Sequence, residues 1–177
     1  MINHQKAYEI IKEAGLSNFE LSESFIKDIH GILMENIISG GFYRNINVRI
    51  RGASFSPIDW TGVGFQMENL IYVYTKKIQS FDPIYLASFV HAEFVKIHPF
   101  IDGNGRLARL LVNFILIKNK YRALKIRAVD RPRYFNLLDL YAREGNLDDF
   151  YKFILEKEYQ VLKLYEEEID KAFDKNL

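Results

Sequence analysis

Long stretches of the chain carry apolar residues three and four positions apart, the spacing that gathers side chains on one face of an α-helix. In the segment 21–38 this apolar face includes Phe25, Ile29 and Leu33, and Ser22 stands where a helix N-cap is favoured. Only four prolines and ten glycines interrupt the chain. The sequence therefore predicts an all-α domain, with helices near residues 4–14, 21–38, 64–80, 83–97, 104–120, 131–144 and 147–175.

A different pattern occupies the stretch between Tyr43 and Thr61. Residues 46–51, with the sequence INVRIR, alternate apolar and polar side chains, a period of two that is typical of a β-strand. Gly52 and Pro57 disfavour a continuous helix through the same segment. We therefore expect a short β-hairpin near residues 45–60, inserted into the helical domain.

Composition narrows the class of protein. The 177 residues are 49% hydrophobic and 27% charged, as in ordinary globular chains, and we expect a single domain over residues 1–177. A formal net charge of +1 provides no global field for nucleic acid, so no nucleic-acid partner is expected. The absence of cysteine excludes disulfides and thiolate metal sites and fits a reducing compartment.

The sequence also bears on location. No apolar window reaches the ~18 residues that a membrane-spanning helix needs, and residues 1–15 lack the charged-then-apolar pattern of a secretion leader. We therefore expect no membrane partner and a cytoplasmic protein. Delivery into another cell by a leaderless route is the alternative.

The predicted helix 104–120 is apolar on nearly every side, which indicates that it runs through the core and rigidly supports the residues at its start. It begins within the run HPFIDGNGRLAR at residues 98–109. The first turn of a helix presents unpaired N–H groups and a partial positive charge. Gly103 and Gly105 would let a phosphate approach these groups without a side chain in the way.

Polar side chains around this helix start suit phosphoryl chemistry. Arg106 and Arg109 would place guanidinium groups against phosphate oxygens, and Asn104 would either cap the helix or donate to such an oxygen. Asp102 is a hard oxygen ligand of the kind that Mg²⁺ takes when it is shared with substrate phosphates. His98 offers a general base with an ordinary pKa near 6.5.

A simple helix-connecting turn is the alternative interpretation of residues 102–105, because Asp, Gly and Asn are common turn residues. His98, Arg106 and Arg109 favour a functional loop, since a turn requires none of them. The chain has neither the Walker A pattern GxxxxGK[ST] nor a GxGxxG after a strand, which disfavours other nucleotide-binding folds.

The run HPFIDGNGRLAR resembles the signature HxFx[DE]GNGRxxR of the Fic family at every specified position. The resemblance covers about residues 21–155 and includes FIKDIHGILMENI, the following Gly41–Arg44, SFVHAEFVKIHPF and DRPRYFNLLDLYAREGNLDDFYKFI. Fic proteins are mostly protein adenylyltransferases, so the resemblance implies a helical Fic domain that transfers AMP. In the related Doc branch, Ala and Lys stand at the positions of Gly103 and Gly105 and phosphate is transferred, so both glycines favour AMP.

The resemblance also implies roles for the loop residues. His98 would take the proton from a Tyr, Thr or Ser hydroxyl of a target protein, and the oxygen would displace pyrophosphate from ATP. Asp102 would hold Mg²⁺, while Asn104 and the neighbouring amides would stabilise the phosphorus centre. Arg106 and Arg109 would hold the β- and γ-phosphates.

Two alternatives remain open for the function. Some relatives use the same loop to transfer UMP, phosphate or phosphocholine, and the loop alone does not read the base. A non-catalytic module that binds a nucleotide or a peptide is the other alternative, although the presence of His98 and Asp102 disfavours a simple binder.

The resemblance further implies a target site and an adenine pocket. In this family a hairpin called the flap aligns the backbone of the target by strand addition, and Phe55 or Ile58 would clamp the target side chain. Packing beneath the hairpin is an equal alternative for both. The helix after residue 131 would supply the adenine pocket, and core packing is again the alternative for its candidate residues, Tyr134, Phe135 and Leu138.

Regulation is the last expectation. Many Fic proteins silence themselves with a helix carrying [ST]xxxE[GN], whose glutamate pairs with the second loop arginine, here Arg109. The sequence contains no such motif, and the nearest string, GILMEN at residues 31–36, has glycine in the hydroxyl position. A separate antitoxin-like inhibitor is the favoured expectation. Regulation by homo-oligomerisation and an unrestrained enzyme are the alternatives.

Three further histidines are not assigned to the site. His91 is expected to be a buried, hydrogen-bonded structural residue. His4 and His30 have no acidic cluster at ligand spacing and are expected at the surface or in packing.

Overall fold

The computed structural model describes residues 2–174, which form seven α-helices. The helices are α1 Ile2–Leu16, α2 Glu23–Met34, α3 Val63–Lys77, α4 Pro83–Ile97, α5 Asn104–Lys118, α6 Arg131–Glu144 and α7 Asp148–Asp174. Single 3-10 turns at Trp60–Gly62 and Ala128–Asp130 precede α3 and α6. The all-α prediction is confirmed, and the final residue of the predicted helix 147–175 lies outside the described residues. In this described part of the chain, no helix combines the length and the apolar character needed to cross a membrane.

Local signals place the ends of α4 and α6 where the sequence predicted them. The Asp82 carboxylate accepts hydrogen bonds from the N–H groups of Ile84 and Tyr85, and Pro83 occupies the first position of α4. α6 ends at Gly145, whose φ of +75° is the left-handed conformation that glycine adopts without strain. The start of α4 and the end of α6 are therefore determined by adjacent residues.

α2 is shorter than predicted. Its start is set by Ser22, whose hydroxyl accepts a hydrogen bond from the N–H of Phe25. Its end comes at Met34 rather than at residue 38, because Asn36 turns the chain with a left-handed φ of +62°. The three- and four-residue spacing of apolar side chains continues past this turn, although the helix has ended.

α5 is the central helix and packs against both α1 and α4. Its side chains at Leu107, Leu111, Phe114 and Ile115 are fully buried, as its apolar sequence predicted. Residues 98–103 join the end of α4 to the start of α5. Two packed helices therefore hold both ends of this connection.

The predicted β-hairpin near residues 45–60 is wrong. None of these described residues lies in a strand, and the segment is extended chain with a turn near Gly52, where φ is +82°. Its backbone is bound by a side chain instead of a partner strand, since Arg44 donates hydrogen bonds to the carbonyls of Ile46 and Ile58. A period of two produces a strand only where a second strand is available for pairing.

Candidate active site

His98 lies just after α4 in the left-handed conformation, with φ of +53°. Its Nδ1 lies 3.3 Å from the carbonyl oxygen of Val95. Because a carbonyl only accepts, Nδ1 carries the proton and Nε2 keeps the basic lone pair. Burial lowers the pKa of His98, and the Arg44 guanidinium lowers it further, against opposing effects of the Val95 carbonyl and Asp102. The imidazole is therefore a neutral base at neutral pH.

Arg44 holds the strained backbone of His98 in place. Its buried guanidinium donates from Nε to the carbonyl of His98 at 2.9 Å, and from Nη2 to the carbonyl of Ile58 at 2.6 Å. Its own backbone N–H donates to the carbonyl of Pro99 at 2.8 Å. A non-glycine residue in this conformation costs about 1–2 kcal/mol, which these bonds offset. Sequence reasoning gave Arg44 no role, because local sequence does not reveal which arginine will be buried.

Asn104 shapes the loop from its other end. Its Oδ1 accepts the N–H of Phe100 at 2.9 Å, its Nδ2 donates to the carbonyl of Phe100 at 2.8 Å, and the residue is 2% exposed. The carboxamide is thus engaged by the loop and does not cap α5. No side chain among the described residues caps this helix. Its first N–H groups therefore stay open to an anion.

Different structural reasons explain the presence of glycine at the two positions of the loop, 103 and 105. Gly103 has φ of +81°, and a Cβ there would lie 2.9 Å from Sδ of Met34 and 3.2 Å from Nε2 of His30. Packing and conformation both require glycine at this position. A Cβ at Gly105 would make only an ordinary contact, 3.5 Å from Nη1 of Arg109. The fold does not require glycine there, which fits a position kept clear for a ligand.

His30 supports the loop and was missed as a site residue. Its Nδ1 accepts the N–H of Gly41 at 2.9 Å, and its Nε2 donates to the carbonyl of Asp102 at 2.9 Å. Its ring stacks on Phe100, with 3.6 Å between the ring centroids. Burial lowers the pKa of His30, so the ring is neutral and both nitrogens are satisfied. His30 is a packing residue, as expected, but the surface alternative is wrong because it is 1% exposed.

Asp102 projects from the loop into solvent. Its side chain is 63% exposed, and its Oδ2 lies 3.2 Å from Nη2 of Arg106. Within residues 2–174 no group of three metal-ligating side chains occurs. An exposed carboxylate such as that of Asp102 is the kind of ligand that a hard cation takes when substrate phosphates and water supply its other ligands.

Arg109 stands one turn further along α5, beside Tyr134. Burial raises the pKa of the Tyr134 hydroxyl, and the Arg109 guanidinium opposes that rise. Arg109 also lines a cavity of about 940 Å³ between α1, α5 and residues 121–126. Lys12 and Lys125 line the same cavity. The cationic end of the loop thus opens onto a space large enough for phosphate groups.

The candidate adenine residues separate into buried and exposed positions. Tyr134 and Leu138 lie in the core at 2% and 4% exposure, whereas Phe135 is 58% exposed. The Tyr134 hydroxyl lies 2.7 Å from Nε2 of His91, which is fully buried. The prediction that His91 is a structural residue is confirmed. Of the three candidates, Phe135 is the one that offers a ring to a ligand.

The two flap candidates are both half-buried but differ in their contacts with the core. Ile58 packs against the hydrophobic core, whereas Phe55 is half-buried in the extended segment. The packing alternative therefore fits Ile58, and Phe55 retains surface for a target. His4 is exposed, as expected, and lines the same cavity as Arg109.

Comparisons with known proteins show the family to which the chain belongs. A model of the Fic/DOC family matches residues 20–116, a span that contains the complete loop. The chain is similar to Protein adenylyltransferase Fic of Drosophila erecta, with 31% identity over 162 residues, which are 90% of this chain and 32% of that protein. The chain therefore spans about a third of the length of the curated relatives it matches.

Solved structures share the fold. A Fic-domain-containing signaling protein from Bacteroides thetaiotaomicron superposes with a TM-score of 0.82 at 28% identity, over 92% of this chain and 69% of its own. IbpAFic2, in a complex with adenylylated Cdc42, superposes with a TM-score of 0.68 at 19% identity, over 90% of this chain and 55% of its own. At that identity the second likeness concerns the fold alone.

Proposed function

Since this chain belongs to the Fic/DOC family, we propose that it is an enzyme, a protein adenylyltransferase that transfers AMP from ATP to a Tyr, Thr or Ser hydroxyl of a target protein. The observation that carries the proposal is the pairing of a neutral base, His98, with the uncapped start of α5 across the loop 98–103. The name of the Drosophila erecta relative supports the same activity. Residues 1–177 would act as one Fic unit.

His98 is the general base of the proposed reaction. Its Nε2 takes the proton of the target hydroxyl, and the oxygen forms a bond to the α-phosphorus of ATP. The bond from that phosphorus to the bridging oxygen breaks, and pyrophosphate leaves with the electron pair. The proton on His98 then passes to solvent. Arg44 and Val95 orient the imidazole for this step.

The start of α5 binds the phosphates in the proposed complex. The open N–H groups after Gly103 face the α-phosphate, and Gly105 leaves room for its approach. Arg106 and Arg109 hold the β- and γ-phosphates as guanidinium forks. When Mg²⁺ is bound, Asp102 holds it, and the ion neutralises phosphate charge. Phe135 provides the exposed ring against which adenine packs.

The partner of the proposed reaction is a protein with a hydroxyl side chain. The complex of IbpAFic2 with adenylylated Cdc42 supports a protein target for this fold. Phe55, which lies in the extended segment that follows Arg44, contacts the target side chain in this proposal, and Ile58 supports the segment from the core.

Inhibition would act at Arg109. An antitoxin-like protein that inserts a carboxylate into the cavity beside Arg109 would compete for the guanidinium that binds the γ-phosphate. Lys12, Arg122 and Lys125 line that cavity together with the acid Glu9, and this excess of positive charge suits such an acidic partner. Homo-oligomerisation would restrain the enzyme by covering the same cavity.

A labelling experiment tests the activity. The protein and its His98→Ala variant are incubated with Mg²⁺, a cell lysate and ATP labelled at either the α- or the γ-phosphate. Label from the α-position but not from the γ-position supports AMP transfer, and we expect His98→Ala to lower it roughly 10²–10⁴-fold. The matched control Lys152→Ala, an exposed change on α7, should retain transfer.

Other results would indicate a different activity or contradict the mechanism. Label from the γ-position alone would indicate phosphorylation, and transfer from UTP or GTP in competition with ATP would change the assigned nucleotide. Nucleotide binding without any labelled protein would indicate a binding module. Full activity of His98→Ala would contradict the mechanism.

A further inference from the structure

Residues 47–59 form a loop, here called the flap loop, whose two ends are held together. The Nδ2 of Asn47 donates to the Asp59 carboxylate at 2.8 Å, and the Oδ1 of Asn47 accepts the N–H of Trp60 at 2.9 Å. Arg44 adds hydrogen bonds to the carbonyls of Ile46 and Ile58, at the two ends of the loop. The base of the flap loop is therefore fixed next to His98, which Arg44 also binds.

The far end of the flap loop is held by a residue 85 positions later in the chain. The backbone N–H of Ser54 donates to Oδ1 of Asp139 at 2.6 Å, and the Ser54 hydroxyl donates to Oδ2 at 2.5 Å. The Ser54 hydroxyl is the main cause that lowers the pKa of the Asp139 carboxyl, so the acceptor stays ionised near neutral pH. Hydrogen bonds to an ionised carboxylate are roughly twice as strong as neutral ones.

Asp139 occupies a distinctive place on α6. It lies four residues after Phe135, so the two side chains share one face of the helix. Asp139 also pairs with Arg143, whose Nε lies 3.3 Å from Oδ2. The flap loop thus extends from His98 at its base to the helix face that carries Phe135 at its tip, and Phe55 directly follows Ser54.

We propose that Asp139 is a positioning residue, which fixes the tip of the flap loop through Ser54 and thereby sets the place of the next residue, Phe55, for contact with the target. None of the described residues in the flap loop pairs with a strand, so no ladder of backbone hydrogen bonds holds the tip. A carboxylate that binds both the N–H and the hydroxyl of one residue supplies that constraint. The consequence for target binding rests on the proposed function, whereas the latch between Ser54 and Asp139 does not.

Limited proteolysis tests the latch directly. Arg49 and Arg51 are exposed near the tip of the flap loop and provide trypsin sites there. We expect Asp139→Ala to raise the rate of cleavage after these arginines roughly tenfold, and Ser54→Ala to raise it severalfold, as read by mass spectrometry of the fragments. The control Arg143→Ala removes the ion pair but keeps both Ser54 hydrogen bonds, so cleavage should stay within twofold of the unsubstituted protein. Equal cleavage in all four proteins would overturn the proposal.

Steady-state kinetics test the consequence for the target. With the lysate protein that the unsubstituted enzyme labels as the substrate, we expect Ser54→Ala and Asp139→Ala to raise its KM about tenfold while kcat changes less than threefold. Ser54→Thr, which retains the hydroxyl, should restore the KM. An unchanged KM in both alanine variants would overturn the positioning role. Failure of the proposed function would appear differently, as absent transfer by the unsubstituted protein, and the trypsin comparison would still decide whether the latch exists.

Discussion

The Nε2 of His30 on α2 lies 2.9 Å from the carbonyl oxygen of Asp102 in the loop between α4 and α5. The same ring stacks on Phe100 and accepts the N–H of Gly41 through Nδ1. One buried imidazole therefore ties α2, the chain that enters the extended segment, and the loop together. A loop held in this way leaves the first turn of α5 without a side-chain cap and open to an anion.

Replacing His30 tests this support. We expect His30→Ala to lower the free energy of unfolding by roughly 2–4 kcal/mol, because it removes a buried ring and leaves the N–H of Gly41 and the carbonyl of Asp102 without their partner. Urea denaturation measures the change, and His4→Ala, an exposed position, serves as the stability control. A loss below about 1 kcal/mol would show that the ring is not a support.

The two loop glycines should respond differently to alanine. Gly103→Ala forces a Cβ into a left-handed position against Met34 and His30, so we expect a stability loss of at least about 1–2 kcal/mol. Gly105→Ala meets only an ordinary contact, so we expect no stability loss, but transfer should fall roughly 10–100-fold because the methyl group displaces the phosphate. Thermal unfolding and transfer assays on both variants separate these effects. Full transfer by a stable Gly105→Ala protein would contradict the proposed phosphate position.

The pH dependence of transfer should reflect the neutral form of His98. Burial lowers its pKa from the ordinary value of 6.5, so the neutral base predominates at pH 6.5 and above. We therefore expect the single-turnover rate to level off in the neutral range and the midpoint of its acidic limb to lie below pH 6.5. A midpoint above pH 6.5 for the acidic limb would contradict the assignment of His98 as the base.

His91 should make the fold sensitive to acid. Burial lowers its pKa to about 3 in the folded protein, whereas the unfolded chain has the ordinary value of 6.5. Between these values the unfolded state binds the additional proton, so stability falls as the pH decreases from 6.5 toward 3, by up to about 1.4 kcal/mol per pH unit. Urea unfolding from pH 7 to 4 should show a shallower slope for His91→Gln, which does not titrate. Identical slopes in the two proteins would exclude His91 as a cause of acid sensitivity.

Elements whose signals are local were predictable from sequence. Asp82 and Pro83 start α4 and Gly145 ends α6 through hydrogen bonds and backbone conformations of adjacent residues, and the observed bounds of both helices match the predicted ones. The loop at residues 98–109 was also recognisable in the sequence, because the residues proposed as its base, metal ligand and phosphate-binding groups lie within one short run. The burial of α5 was predictable because apolar residues occupy nearly every side of the helix within its own sequence.

Contacts between distant residues were not predictable in this way. The period of two at residues 46–51 suggested a strand, but the Arg44 side chain binds the carbonyl of Ile46, and the Asn47 side chain binds the N–H of Trp60. Tyr134 and Phe135 are adjacent aromatics, yet packing against His91 buries the first and leaves the second exposed.

By itself, the sequence determined that this protein is helical, that α5 is buried and that the Fic signature HPFIDGNGRLAR runs into its first turns, because each of these properties depends on neighbouring residues. Only the tertiary structure decided that His30 supports the loop, that Arg44 holds His98 in its strained conformation, and that Asp139 binds Ser54. These three relationships join residues 72, 54 and 85 positions apart. No local pattern encodes such pairs, since their energy arises from burial and hydrogen bonding that exist only after the helices have packed.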